Sequence, residues 1–196
     1  MRFPVEDDLR AERARFMATM TGLADAEFEA GRTLCAGWAP RDVLAHVTST
    51  DQPWRFVRKG LWFAKANAEV VAASRGRSRD ELTEAGHRWA AEPSLFGRFS
   101  AAFLLGDVAV HHQDVLRGSG KTRELPRPVA AALFREGVFL STGLNQRLLR
   151  HRVVPTTPGG RPLGRGREVR GTTEALGLWL AGRDEVAADL VFAPAG

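Results

Sequence analysis

The chain has 196 residues, 44% of them hydrophobic, enough for one sizeable domain or one domain plus a small appendage. Its net charge of +5 comes almost entirely from Arg spread among Asp and Glu, without the run of like charges that marks a nucleic-acid-binding arm. Every long apolar stretch is broken by Arg, Lys, Asp or His, the first 16 residues carry acids where a signal peptide has its apolar centre, and Cys35 is the single cysteine. These features exclude a membrane span and an internal disulfide. The expectation is a cytoplasmic monomer or homodimer whose partners are small molecules, not nucleic acid or membrane.

Residues 5–29 read as a first helix, with Leu9, Phe16, Met17, Met20 and Leu23 near one face and an interruption at Arg13. A loop over 31–39 contains Gly37 and Trp38. Pro40 then stands where a helix favours its first proline, and the helix from there to Thr50 carries Val43, Leu44, His46 and Val47. The spacing of Trp54, Val57, Leu61, Trp62 and Val70 predicts a third helix over 54–74. Ser78 and Glu81 form a capping-box pattern at the head of a helix that ends near Ala91. The most apolar helix spans 96–117 and is stopped by Gly118-Ser119-Gly120; another runs over 127–150.

Beyond residue 150 the segment PTTPGGRPLGRGREVRG is too rich in Pro and Gly to be helical. HRVV, REVR and ADLVF have the character of short strands. TTEALGLWLAG reads as a helix capped by Thr172 or Thr173 and stopped by Gly182. The fold class expected is mainly α: a four-helix-type bundle over 1–150 with a small α/β appendage over 151–196.

Two helices carry polar residues on faces that ought to be apolar. In the 96–117 helix, Asp107 lies four residues after Phe103 and three after Leu104, and His111 lies one turn beyond Asp107. Asp114 follows three residues later. In the second helix, His46 shares a face with Val43, Val47 and Thr50. Burying such groups without partners costs several kcal/mol. A bundle brings these faces together, and two imidazoles with one carboxylate make a metal site with open positions. Asp114 would then accept from the second ring nitrogen of a ligating His. The competing reading pairs Asp107 with an Arg and His46 with a backbone carbonyl.

The segments TLCAGWAPRDVLAHV at 33–47, GDVAVHHQDVLRGSG at 106–120 and VRGTTEALGLWLAGR at 169–183 resemble, in order, three blocks of the mycothiol-dependent maleylpyruvate isomerase family, within the DinB-like bundle superfamily. The resemblance implies a DinB-like bundle and a zinc or similar divalent ion on His46, Asp107 and His111. It also implies mycothiol or a similar small thiol as cofactor, activated by the metal for isomerisation or for S-transfer to an electrophile. The isomerases commonly have Glu where this chain has Asp107, one methylene shorter. A metal-free ligand-binding or regulatory module on the same bundle is the alternative.

Cys35 reads as a turn residue rather than a nucleophile, and Trp38 as a packing residue, with a pocket wall as the alternative. His112, about 100° around the helix from His111, is expected to face away from the metal; His87 and His151 are expected at the surface. In the loop 155–167, Arg161, Arg165 and Arg167 offer cations for a carboxylate, as on a cofactor or acidic substrate, although a solvated loop accounts for them equally well.

Overall fold

In a computed structural model of the chain, residues 5–51 and 63–194 are described, and they form two compact units, Met1–Thr122 and Arg123–Gly196. The first unit contains α1 (Glu6–Thr21), α2 (Asp25–Ala30), α3 (Pro40–Ser49), α4 (Phe63–Ser74), α5 (Arg79–Ala91), α6 (Leu95–Phe99) and α7 (Ala101–Gly118). The predicted residues Trp54, Val57, Leu61 and Trp62 lie outside the described segments. Helix α1 packs on α5 and α7, and α3 packs on α5 and α7. These four helices close a ring around one core, which is the expected four-helix arrangement.

Local sequence explains most of the element ends. Ser78 accepts from the Glu81 amide and Glu81 bonds back to the Ser78 amide, so the capping box forms. Pro40 occupies the first turn of α3, and Asp42 receives the Ala39 amide at 3.0 Å. Gly86 lets α5 approach α1: a Cβ there would sit 2.6 Å from the Met17 sulfur.

Three helices expected to be continuous are broken. The first stops at Gly22 and restarts as α2. The 96–117 helix is preceded by the single turn α6, headed by the Ser94 hydroxyl, which accepts from the Gly97 amide, and α7 begins only after Ser100. Side chains that bond their own backbone compete with helix continuation at such places. The expected helix over 127–150 is α8 (Arg127–Leu140), then a π-helical turn (Ser141–Asn145), then the single turn α9 (Arg147–Arg150). Here the Ser141 hydroxyl accepts from the Leu148 amide and donates to Asn145 Oδ1.

In the second unit, α8 packs against α10 (Thr173–Leu180), with Gly137 and Gly177 at the crossing. A Cβ on Gly137 would lie 2.2 Å from the Gly177 carbonyl oxygen, so the two backbones touch there. Thr172 caps α10, accepting from the Ala175 amide at 3.1 Å, and Gly182, at φ 93°, follows its end. The strands β1 (His151–Pro155), β2 (Leu163–Gly164), β3 (Arg167–Gly171) and β4 (Val191–Phe192) form one sheet in the order β2-β1-β3-β4. The β1–β3 pair is parallel and the other two pairs are antiparallel. The small α/β piece is thus present, but α8 groups with it, so the compact unit starts at Arg123 rather than at 151. The reason is the α8–α10 contact, which spacing within α8 does not reveal.

No helix among the described residues is long and apolar enough to cross a membrane.

Candidate metal centre

Helix α7 carries Phe103, Asp107 and His111 along one line of turns. Phe103 is half exposed, Asp107 is partly exposed and His111 is buried. The line therefore runs from the surface inward, whereas spacing alone placed Phe103 in the core stripe. Helix α3 meets it from the other side. Its His46 is buried, and the His46 and His111 ring centroids are 4.6 Å apart.

Asp107 Oδ1 is 3.6 Å from His46 Nε2 and 3.7 Å from His111 Nε2. Both separations exceed hydrogen-bond range. They approach the edges, about 3.3 Å, of a tetrahedron of nitrogen and oxygen ligands around a zinc-sized ion. One atom from each of the three residues lies within 4.8 Å of the other two. His46 Nδ1 is buried with no hydrogen-bond partner among the described residues. The competing arrangement for His46, a bond to a backbone carbonyl, is not among the described contacts. The donor set therefore fits a divalent ion with open positions.

The other side of the His111 ring is tied down. Its Nδ1 is 2.9 Å from Asp114 Oδ2, and Asp114 is fully buried. The same carboxylate oxygen accepts from Cys35 Sγ at 3.1 Å. Burial, the largest effect, pushes the His111 imidazolium below its usual 6.5; the Asp114 bond opposes this and His46 adds to it. Burial thus favours the neutral ring, and the Nδ1–Asp114 bond directs the lone pair to Nε2, which is the ligating form.

The loop before α3 completes the wall. Gly37 takes φ 76°, a left-handed conformation that suits Gly, and Trp38 donates its amide to the Cys35 carbonyl at 3.0 Å. The Trp38 ring stacks on His111 at 6.0 Å and lies 5.2 Å from His46. Trp38 thus packs on both candidate ligands, as the packing reading expects. The loop is fastened to α7 by the Leu34 amide, which donates to the Asp114 carbonyl. Sequence reasoning missed the partnership of Cys35 with Asp114. The two are 79 positions apart, and no spacing rule links them.

His112 is turned away from His111's partners, as expected. It is buried, with Nδ1 2.8 Å from Glu12 and Nε2 2.8 Å from the Thr19 hydroxyl. His87 is exposed. His151 is half-buried instead, packed on Trp179 at 5.1 Å with Nδ1 on the Arg147 carbonyl. Arg161, Arg165 and Arg167 are exposed residues of the second unit, and the candidate metal residues belong to the first. Arg167 donates to the Ala193 carbonyl and covers the Phe192 ring. An open cavity of about 800 Å³ in the first unit, lined by Thr48, Ser49, Arg77, Arg88 and Trp89 among others, includes none of the candidate ligands.

Residues 9–91 match the family model of the mycothiol maleylpyruvate isomerase N-terminal domain. The match spans α1 to α5 and contains His46; Asp107 and His111 lie beyond it. Two crystal structures of the mycothiol-dependent maleylpyruvate isomerase, one of them a histidine-to-alanine mutant, have the same fold. They superpose with TM-scores of 0.69 and 0.70 at 16% identity, over 97% of this chain and 93% of theirs. No curated protein matches the sequence.

His46 faces Asp107, whose carboxylate reaches midway between both histidines. Asp114 is the group that orients His111. Asp114→Asn is expected to weaken metal binding by about 10- to 100-fold, the usual effect of losing a carboxylate behind a ligating His. Competition with a chromophoric chelator measures this, and an unchanged affinity would remove Asp114 from the site.

Proposed function

We propose that the protein is a metal- and mycothiol-dependent isomerase of the maleylpyruvate isomerase type, with His46, Asp107 and His111 as metal ligands. The observation that carries the reading is the convergence of Nε2, Oδ1 and Nε2 from two helices at separations too long for hydrogen bonds. A divalent ion there, zinc being the best match to two imidazoles and a carboxylate, would bind a thiol as thiolate and lower its pKa from about 8.5.

The chain's own groups support that chemistry. Asp114 holds the His111 Nδ1 proton, so Nε2 keeps its lone pair toward the ion. Trp38 covers both imidazoles and keeps water from that side. Asp107 stands between the buried histidines and the exposed Phe103, which leaves the outer side open to a thiol and an unsaturated acid. Arg161 and Arg165 are exposed cations of the second unit, where a carboxylate would bind to them, whereas the metal residues belong to the first unit.

Maleylpyruvate and mycothiol supplied to zinc-loaded protein test the reading by the rate of cis-to-trans conversion. Turnover should require both zinc and thiol. A stable thioether with an electrophile in place of isomerisation would assign S-transfer instead. Protein that takes up no metal and turns over nothing would leave a ligand-binding module.

A further inference from the structure

Each of the two nitrogens of His111 faces a different cluster. Nε2 faces Asp107 and His46, and Nδ1 faces Cys35 and Asp114. We propose that Cys35 Sγ, His111 Nδ1 and Asp114 Oδ2 form a second, thiolate-bearing position for a soft divalent cation such as zinc or cadmium.

The three atoms form a triangle with sides of 3.6 Å (Sγ to Nδ1), 3.1 Å (Sγ to Oδ2) and 2.9 Å (Nδ1 to Oδ2). A tetrahedral zinc bound to sulfur, nitrogen and oxygen separates its ligand atoms by about 3.3–3.6 Å. A few tenths of an ångström of opening suffices. The sulfur is already placed: the Thr33 hydroxyl accepts from the Cys35 amide at 3.1 Å and donates to the Trp38 carbonyl at 2.8 Å. The Leu34 amide fixes the turn to α7 at Asp114. Cys35 is only half-buried, so an ion can reach it, while Asp114 behind it is fully buried. A thiolate beside an imidazole selects zinc-like ions over magnesium or calcium, which take oxygen ligands.

Binding forms the Sγ–metal, Nδ1–metal and Oδ2–metal bonds and releases the thiol proton to solvent. With only this position filled, the imidazole proton moves to Nε2. With both positions filled it too leaves, and the ring bridges two ions. The position shares His111 with the proposed isomerase site but uses neither His46 nor Asp107, so the two fail separately.

Cobalt(II) titrated into the metal-free full chain tests the assignment. Because Cys35 is the single cysteine, any thiolate-to-cobalt charge-transfer band reports this position alone. The wild type should bind two equivalents and show the band. His46→Ala should lose one equivalent and keep the band. Cys35→Ser should lose the band and keep one equivalent, with circular dichroism showing an intact helical fold. Wild type that binds one equivalent with the band upholds this position and instead removes the first. Absence of the band in both the wild type and His46→Ala at two added equivalents overturns the proposal.

Discussion

Replacing His46 by alanine is expected to give a folded protein that no longer retains a metal at the first position. The remaining donors, Asp107 and His111, both come from α7, one turn apart. A pair on one helix lacks the opposing ligand that closes a coordination sphere. Losing a carboxylate behind a ligating His already costs about 10- to 100-fold in affinity, so loss of a ligand should cost more than about 100-fold. The fold should tolerate the change. His46 Nδ1 is buried without a partner among the described residues, and an unsatisfied buried polar atom opposes folding. Deleting the ring therefore recovers some desolvation cost while it leaves a cavity. Metal-free wild type and His46→Ala are expected to unfold within about 1 kcal/mol of each other, by the offset of these two effects. Elemental analysis after dialysis and chemical denaturation check both halves. A variant that binds as many equivalents of cobalt as the wild type would show that His46 is not a ligand.

His46, Asp107 and His111 were legible because helical periodicity is local: each sits among apolar residues at i±3 or i±4, and a polar group on an inward face needs a partner. The partners of Asp114 were only half legible. Its bond to His111 is three residues along the same helix, but its bond to Cys35 depends on how the loop 31–39 lies against α7. That path is fixed by contacts such as Gly118 against the Arg32 carbonyl, where a Cβ would come within 2.2 Å. The assignment of α8 was hidden for the same reason. Its apolar face suits either neighbour, and the Gly137–Gly177 crossing that decides the matter joins residues 40 apart in sequence. Arg13 is the clearest case. On the helical wheel it interrupts the apolar face of α1, yet in the fold it is one of the most buried side chains of the first unit.

Arg13→Met is expected to destabilise the first unit by about 3–5 kcal/mol, the usual cost of removing one partner from a buried ion pair. The guanidinium is fully buried. It donates to Asp51 Oδ1 at 2.5 Å, to Asp51 Oδ2 at 3.1 Å and to the Trp89 carbonyl at 3.0 Å, and lies 4.2 Å above the Trp89 ring. Burial lowers its pKa while Asp51 raises it, and an arginine stays charged throughout the pH range in which proteins fold. Met fills much of the volume but leaves the Asp51 carboxylate buried against Ser94 without its cation. Urea denaturation followed by Trp fluorescence measures the loss. Arg13→Met combined with Asp51→Asn should recover part of it, because the amide oxygen still accepts from the Ser94 amide, now at 3.2 Å from the carboxylate. A single variant within 1 kcal/mol of wild type would show that the pair contributes little. The pair also bears on the metal centre. Asp51 lies just past the end of α3, which carries His46, and Ser94 opens the turn that leads into α7, which carries Asp107 and His111. Gly97 leaves room for the Asp51 carboxylate, since a Cβ there would lie 2.7 Å from Oδ2. Arg13 thus fixes, from α1, the point where the two helices that carry the candidate ligands are joined. Arg13→Met should therefore lower metal affinity as well as stability, although it touches none of the ligands.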